Sequence, residues 1–157
     1  MPPKPLVDLS ALDLSRVIAG PDEIRRHNPQ RHEMEHLNGI LHLDLTGGLV
    51  VGFKDVRQDE FWVRGHIPGR PLLPGVIICE AAAQLCSFYY KKAIAMDRFL
   101  GFGGMEGVKF RGAVVPGNRL ILVAKAVDVR PRRAVFDCQG LVNGTLVYQG
   151  TIIGMPM

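Results

Sequence analysis

Two side chains that can transfer protons lie close together in the middle of the chain. His66 stands in a loop, and Glu80 follows inside an otherwise apolar stretch. Three prolines between them stiffen the connection: Pro68, Pro71 and Pro74. Histidine is the side chain whose ordinary pKa best suits proton transfer near neutral pH, and a carboxyl group among apolar neighbours is a candidate acid. The pair predicts general acid–base chemistry.

The start of a predicted helix lies between these two residues and adds groups that stabilise negative charge. The N–H groups of Gly75 and Val76 would be free of intrahelical acceptors at the positive end of the helix dipole, which suits an oxyanion. Gln84 follows Glu80 by one helical turn, on the same face, and we expect it to hold the carboxyl group by a hydrogen bond. This arrangement favours a reaction in which negative charge develops on an oxygen atom.

A second motif suggests different chemistry. His32-Glu33, His36, Gly39 and His42 follow the pattern H-E-x-x-H-x-x-G-x-x-H of the metzincin zinc peptidases, with three histidine ligands and Glu33 as the base. The residues before His32 show no strand pattern that could support such a site, and His42 lies in an alternating run typical of a strand. We therefore expect a polar surface and no metal here, and keep a zinc peptidase as an alternative.

Hydrophobic periodicity predicts an α+β fold. The most apolar stretch contains Glu80 and Gln84 near its middle, which favours a buried helix over a membrane span. Asn143-Gly144 is a strong hairpin signal. The predicted helix covers residues 74–95, and the predicted strands cover residues 41–46, 49–54, 108–115, 120–129, 134–142 and 146–153.

A helix that is apolar on all sides must be covered on most of them. We expect one antiparallel sheet wrapped around this long central helix, with the open edge or face of the sheet completed by a partner chain. Residues 1–38 are predicted to be a polar segment with short helical turns, including a new helix start at Gly20-Pro21-Asp22. Residues 39–157 would then form the main domain.

Composition bounds the function further. The chain has 157 residues, three cysteines and a formal net charge of +4. This length fits one domain, and three scattered cysteines favour reduced thiols in a cytoplasmic protein over a disulfide scaffold. No secretory signal is visible at the N-terminus. The mild positive charge suits a weakly acidic partner better than nucleic acid.

The block around the first pair of residues resembles the signature of the bacterial 3-hydroxyacyl-[acyl-carrier-protein] dehydratases of the hot-dog fold, the FabZ type. That family carries G-H-F-P-x-x-P-x-x-P-G-V followed by E-A-x-A-Q, and here Gly65-His66-Ile67-Pro68 leads to Glu80-Ala81-Ala82-Ala83-Gln84 with the same spacing. A glutamate at the acid position favours the plain dehydratases over relatives that also isomerise the double bond. The similarity extends through residues 108–118 to the final hairpin.

The resemblance implies a homodimer or a trimer of dimers, with His66 of one chain and Glu80 of its partner in one shared tunnel. The substrate would be a (3R)-3-hydroxyacyl thioester on the phosphopantetheine arm of acyl carrier protein, dehydrated to the trans-2-enoyl thioester in fatty acid biosynthesis. His66 would be the general base, Glu80 the acid, and the Gly75 N–H the oxyanion donor. The reaction needs no metal or redox cofactor.

Two features differ from the family pattern or extend it. Residues 29–39 are charged where the family has an apolar wall, and Ile67 replaces a phenylalanine, so we expect substrate preference or packing to differ there. A non-catalytic acyl-binding subunit of the same fold is the other alternative.

Five arginines are candidate contacts for the acidic carrier protein: Arg111, Arg119, Arg130, Arg132 and Arg133.

Overall fold

The computed structural model describes residues 3–94 and 97–157. Within them, helix α1 covers Pro21–His27, helix α2 covers Gly75–Ala93, and two short 3-10 helices cover Leu9–Ala11 and His32–Met34. The strands are β1 (Gly39–Asp44), β2 (Leu49–Asp55), β3 (Leu100–Phe110), β4 (Arg119–Arg130), β5 (Arg133–Val142) and β6 (Thr145–Pro156).

The six strands form one antiparallel sheet in the order β1-β2-β4-β5-β6-β3. The long helix α2 packs against five of them, β2 to β6. The β5–β6 turn has Asn143 and Gly144 at positive φ, as the hairpin signal predicts. The predicted α+β architecture, a sheet around one long helix, is confirmed.

Helix α2 is buried on most sides because its sequence is almost entirely apolar after the first turn. It begins after Pro74, and its buried side chains run from Ile78 to Tyr90. The predicted helix extends to Ala95, which lies outside the described residues. None of the helices in residues 3–94 and 97–157 is long and apolar enough to cross a bilayer. The sheet therefore covers the apolar side chains of this helix.

The prediction for β3 was wrong at both ends. The strand begins at Leu100 instead of Val108, because the glycine-rich segment pairs with the end of β6; a Cβ on Gly101 would collide with the Met157 side chain. The strand ends at Phe110, and the chain then leaves the sheet so that the Val114 carbonyl accepts from Leu73 N–H at 2.8 Å. Close packing against the end of the chain therefore explains the glycines in this part of the strand, which lies outside the predicted range.

Residues 3–38 contain the predicted short helical elements and pack on both faces of the sheet. Ile24 and Leu37 join the main core with α2. On the opposite face, Leu6, Leu9 and their neighbours cover a second apolar cluster formed by Leu41, Val51, Phe53 and Val123. Helix α1 begins at Pro21, as predicted.

Candidate active site

His66 is held by a network of main-chain hydrogen bonds that fixes its imidazole. Its Nδ1 lies 2.6 Å from the carbonyl oxygen of Leu72, which can only accept, so Nδ1 carries the proton. Its backbone N–H donates to Trp62 C=O and its C=O accepts from Leu72 N–H, both at 2.8 Å. The His66–Ile67 peptide bond is cis. With the proton on Nδ1, Nε2 of the neutral ring is unprotonated, which is the form that a general base requires.

A cleft of about 530 Å³ opens beside His66. It is lined on one side by the loop and the start of α2, and on the other by Phe110 and the segment of residues 112–114 that leaves the sheet. Gly75 lies against the Phe110 ring, and Pro74, which precedes the helix, also lines the cleft. Pro68 is exposed at the outer part of the loop. The predicted base and the predicted oxyanion donor therefore share one cavity.

The N-terminus of α2 presents backbone donors in this cleft. The first intrahelical hydrogen bond runs from Ile77 N–H to Pro74 C=O at 2.9 Å, so the N–H groups of Gly75 and Val76 precede the hydrogen-bonded turns. The Val76 side chain is 69% exposed. These donors suit an anionic oxygen, since the helix dipole adds to their partial positive charge.

Glu80 is placed differently from His66. Gln84 Nε2 donates to Glu80 Oε1 at 3.0 Å, so the hydrogen bond expected from the spacing is present. Glu80 is half-buried, and it is not among the residues that line the cleft. A single chain therefore does not supply the apolar burial expected for Glu80, nor does it bring Glu80 into the His66 cleft.

The five candidate arginines fall into two groups. Arg111 follows the cleft residue Phe110 and donates to Gln149, and Arg119 makes a bidentate contact to Asp55 at 2.7 and 2.9 Å. The other three lie at the β4–β5 turn, where the Pro131 carbonyl accepts from Tyr90 OH. Tyr90 is about 22 Å beyond Gly75 along α2 at 1.5 Å per residue. This second group comprises Arg130, Arg132 and Arg133.

The histidines of the second motif do not form a metal centre in the described parts of the chain. The 3-10 helix ends at Met34, so His32 and His36 are not ligands on successive turns of an α-helix. His36 is 1% exposed, and its Nδ1 faces the Lys54 ammonium group at 3.4 Å. Burial and this charge lower the pKa of His36 to about 4, and the same charge would repel a cation. His42 lies in β1, as the alternating run predicts.

Sequence reasoning missed a buried ion pair near the site. Lys54 Nζ lies 2.6 Å from Glu60 Oε1, and both side chains are almost fully buried. Burial alone would raise the pKa of Glu60, but Lys54 and the Arg57 N–H together hold it below its usual value. Burial lowers the pKa of Lys54, and Glu60 opposes that shift. One feature of the sequence could have indicated this ion pair. Lys54 ends the apolar run of β2, and a buried charge needs a partner.

The chain is similar to known proteins along most of its length. Residues 28–151 match the family model of the FabA-like domain. The 3-hydroxyacyl-[acyl-carrier-protein] dehydratase FabZ of Teredinibacter turnerae is 33% identical over 135 residues, covering 83% of this chain and 92% of the relative. The protein of the same name from Streptococcus agalactiae is 34% identical over 131 residues, with the same shares covered.

A solved structure shows the fold. The dehydratase heterocomplex ApeI:P from Xenorhabdus doucetiae superposes with a TM-score of 0.72 at 18% identity, covering 90% of this chain and 93% of that chain. With the sheet and central helix described above, this similarity confirms the predicted hot-dog fold. By its match over residues 28–151 and its FabZ relatives, this chain belongs to the FabA-like family, among the FabZ-type 3-hydroxyacyl-[acyl-carrier-protein] dehydratases.

Proposed function

We propose that this protein is a hydro-lyase that dehydrates (3R)-3-hydroxyacyl thioesters on acyl carrier protein to trans-2-enoyl thioesters in fatty acid biosynthesis. The observation that carries the proposal is the hydrogen bond from His66 Nδ1 to Leu72 C=O, since it leaves Nε2 as a fixed base in a cleft next to a helix N-terminus. The FabZ relatives are named for this reaction. A zinc peptidase is not favoured, because the histidines that it needs are not assembled.

The reaction divides between the two candidate catalytic residues. His66 Nε2 removes the proton from the carbon next to the thioester carbonyl, and the electron pair moves onto the carbonyl oxygen as an enolate. The Gly75 N–H donates to that oxygen, a contact typically worth a few kcal/mol. The enolate then re-forms the carbonyl and expels the 3-hydroxyl group, which takes a proton from Glu80 and leaves as water.

A complete site requires two chains in this proposal. Three features support it: Glu80 lies outside the His66 cleft of its own chain, the cleft residues Val76 and Phe110 are 69% and 51% exposed, and β3 forms an edge of the sheet. A partner chain paired along β3 would cover these apolar side chains and bring its Glu80 to the cleft. The working unit is therefore a homodimer, alone or within a trimer of dimers.

The carrier protein would approach from the side where the cleft opens. Of the five arginines, Arg111 is the best placed, because it follows Phe110 at the cleft. Arg119 begins β4 and is already paired with Asp55. The three arginines of the β4–β5 turn lie toward the other end of α2, so we do not propose them as contacts for the carrier protein. The three cysteines are free thiols, which supports a reducing, cytoplasmic setting.

The test is hydration of crotonyl-acyl carrier protein, the reverse reaction, followed by loss of the enoyl absorbance. His66→Ala and Glu80→Ala should each lower kcat by about 10²–10⁴-fold. His42→Ala is the matched histidine control and should retain activity, as should the wild type with a chelator. Folded protein that turns over no acyl thioester would instead support the non-catalytic acyl-binding subunit, and chelator-sensitive proteolysis would support the peptidase.

The shared site makes a second prediction that a single-chain site does not. Co-expression of His66→Ala and Glu80→Ala chains with different tags yields mixed dimers in which one site contains both an intact His66 and an intact Glu80. These dimers should recover about half of the wild-type activity, while each parent variant remains inactive. Inactive mixed dimers would contradict the shared site.

A further inference from the structure

A buried chain of hydrogen bonds connects Glu80 to His66 through the interior of one protomer. At the Glu80 end, Gln84 Nε2 donates to Glu80 Oε1 at 3.0 Å and to Met34 C=O at 2.7 Å. Gln84 Oε1 accepts from His36 N–H at 3.0 Å. Gln84 is 2% exposed, and a reversed amide would place its oxygen against the Met34 carbonyl. The orientation of this amide, and of the donor it offers to Glu80, is therefore fixed.

The middle of this series of hydrogen bonds is the buried Lys54–Glu60 ion pair. His36 Nδ1 accepts from Lys54 Nζ at 3.4 Å, and Lys54 Nζ donates to Glu60 Oε1 at 2.6 Å. Lys54 is 3% exposed and His36 is 1% exposed. A buried ion pair is a poor source of stability compared with apolar side chains of the same volume, so its presence is better explained by the geometry it imposes.

The other end of this series of hydrogen bonds reaches the loop of His66. The Trp62 indole Nε1 donates to Glu60 Oε1 at 3.2 Å, and the Arg57 N–H donates to Glu60 Oε2 at 2.8 Å. The carbonyl of the same tryptophan accepts from His66 N–H at 2.8 Å. Glu60 thus fixes the residue on which the backbone of His66 rests.

We propose that the Lys54–Glu60 ion pair, together with His36 and Gln84, is a positioning element that holds Glu80 and the His66 loop in their working places. The inference rests on the proposed function. Because His66 and Glu80 of one chain serve different sites of the dimer, each ion pair supports one half of each site. Lys54 and Glu60 touch no reacting atom, so they act through the residues they hold.

The direct test replaces both charges with methionine, in Lys54→Met/Glu60→Met. Apolar side chains of similar volume leave no unpaired buried charge, so the double variant should fold. A positioning role predicts a fall in kcat of about tenfold with KM for crotonyl-acyl carrier protein within about twofold, because misplaced catalytic groups slow the chemistry without removing substrate contacts. A matched control is Lys92→Met/Glu23→Met. It removes an ion pair outside this network, in which Lys92 Nζ lies 2.9 Å from Glu23 Oε1. The kcat of this control should stay within about twofold of the wild-type value.

A second pair of variants keeps the inference testable if the double variant does not fold. His36→Leu removes the acceptor that faces Lys54, while His36→Asn supplies an amide oxygen in its place. Both retain the backbone N–H that binds Gln84. We expect kcat to fall about threefold in the leucine variant and to recover in the asparagine variant. Equal kcat in folded leucine and asparagine variants would overturn the role of this link.

Mixed dimers separate the two branches of the network. In a dimer of His66→Ala and Glu80→Ala chains, the working Glu80 comes from the first chain and the working His66 from the second. Adding the methionine pair to the first chain tests the Glu80 branch, and adding it to the second tests the His66 branch. We expect each addition to lower the recovered kcat about threefold or more.

The outcomes distinguish this inference from the proposed function. If the wild type turns over no acyl thioester, the proposed function is wrong and the inference falls with it. If the wild type is active and the folded Lys54→Met/Glu60→Met variant keeps the wild-type kcat, only the positioning role is wrong. A loss of kcat equal to that of the Lys92→Met/Glu23→Met control would also overturn the positioning role, since the loss would then reflect a general destabilisation of the fold.

Discussion

Gly75 and Phe110 are in direct contact across the cleft, and the contact leaves no room for a side chain at the start of α2. A Cβ built on Gly75 would lie 2.7 Å from Phe110 Cζ, closer than real Cβ contacts allow. The ring therefore packs on the first residue of the helix, beside the backbone donors of the candidate oxyanion site.

Gly75→Ala should lower kcat for crotonyl-acyl carrier protein about tenfold or more, because the added methyl group must displace either the ring or the helix N-terminus. The double variant Gly75→Ala/Phe110→Ala should recover part of that loss, since it restores the space. Phe110→Ala alone is the control for the loss of the ring. An alanine at position 75 with wild-type kcat would show that the N–H donor tolerates displacement.

His36 should make the protein lose stability in acid. Its pKa in the folded chain is about 4, below the ordinary 6.5, because it is buried and faces Lys54. Between these values the unfolded chain binds a proton that the folded chain does not, so the free energy of unfolding falls as pH falls, by about 3 kcal/mol in total. Urea unfolding of wild type and His36→Leu from pH 7 to pH 4 measures this contribution.

The variant should lose less stability than the wild type over that range, and the two pH profiles should run parallel above pH 6.5. The carboxylates of the chain titrate in both proteins and cancel in the comparison. Parallel pH profiles for the two proteins would mean that His36 takes up a proton as readily in the folded chain as in the unfolded chain.

Arg111 should affect recognition of the carrier protein and not the chemistry. Arg111→Glu is expected to raise KM for crotonyl-acyl carrier protein severalfold, because it places a negative charge near an acidic partner. The same variant should act normally on a crotonyl thioester of N-acetylcysteamine, which lacks the carrier. Arg132→Glu, the same change at the other end of α2, is the comparison; an equal rise in KM there would contradict the placement of the docking surface.

Gln139 should hold the N-terminal segment on the outer face of the sheet. Its side-chain oxygen accepts from Leu6 N–H and its amide nitrogen donates to Lys4 C=O, both at 2.9 Å. Gln139→Leu should cost roughly 1–2 kcal/mol for these two bonds. Trypsin should then cleave the exposed Arg16 faster than in the wild type. Thr151→Val, which removes a bond to Asp137 and none to this segment, should leave that rate unchanged.

Much of the architecture follows from local patterns. The alternating runs predicted β1 and β2 closely, and Asn143-Gly144 predicted the final turn, because side-chain period and turn conformation are local properties. The β3 strand was misplaced because its glycines pack against the end of β6, and Gly101, for example, pairs with Met155, 54 positions away in sequence. Local patterns contain no record of such a contact.

The sequence alone determined the family, the proline-stiffened loop of His66 and the helix start at Gly75, because these depend on residue types at fixed short spacings. The tertiary structure decided that Nδ1 of His66 is bound to Leu72, that Glu80 lies outside the cleft of its own chain, and that the histidines of the zinc-like motif are separated. It also brought Lys54, Glu60, His36 and Gln84 together. These four residues come from three separate parts of the chain, so their contact exists only once the sheet has closed around the helix.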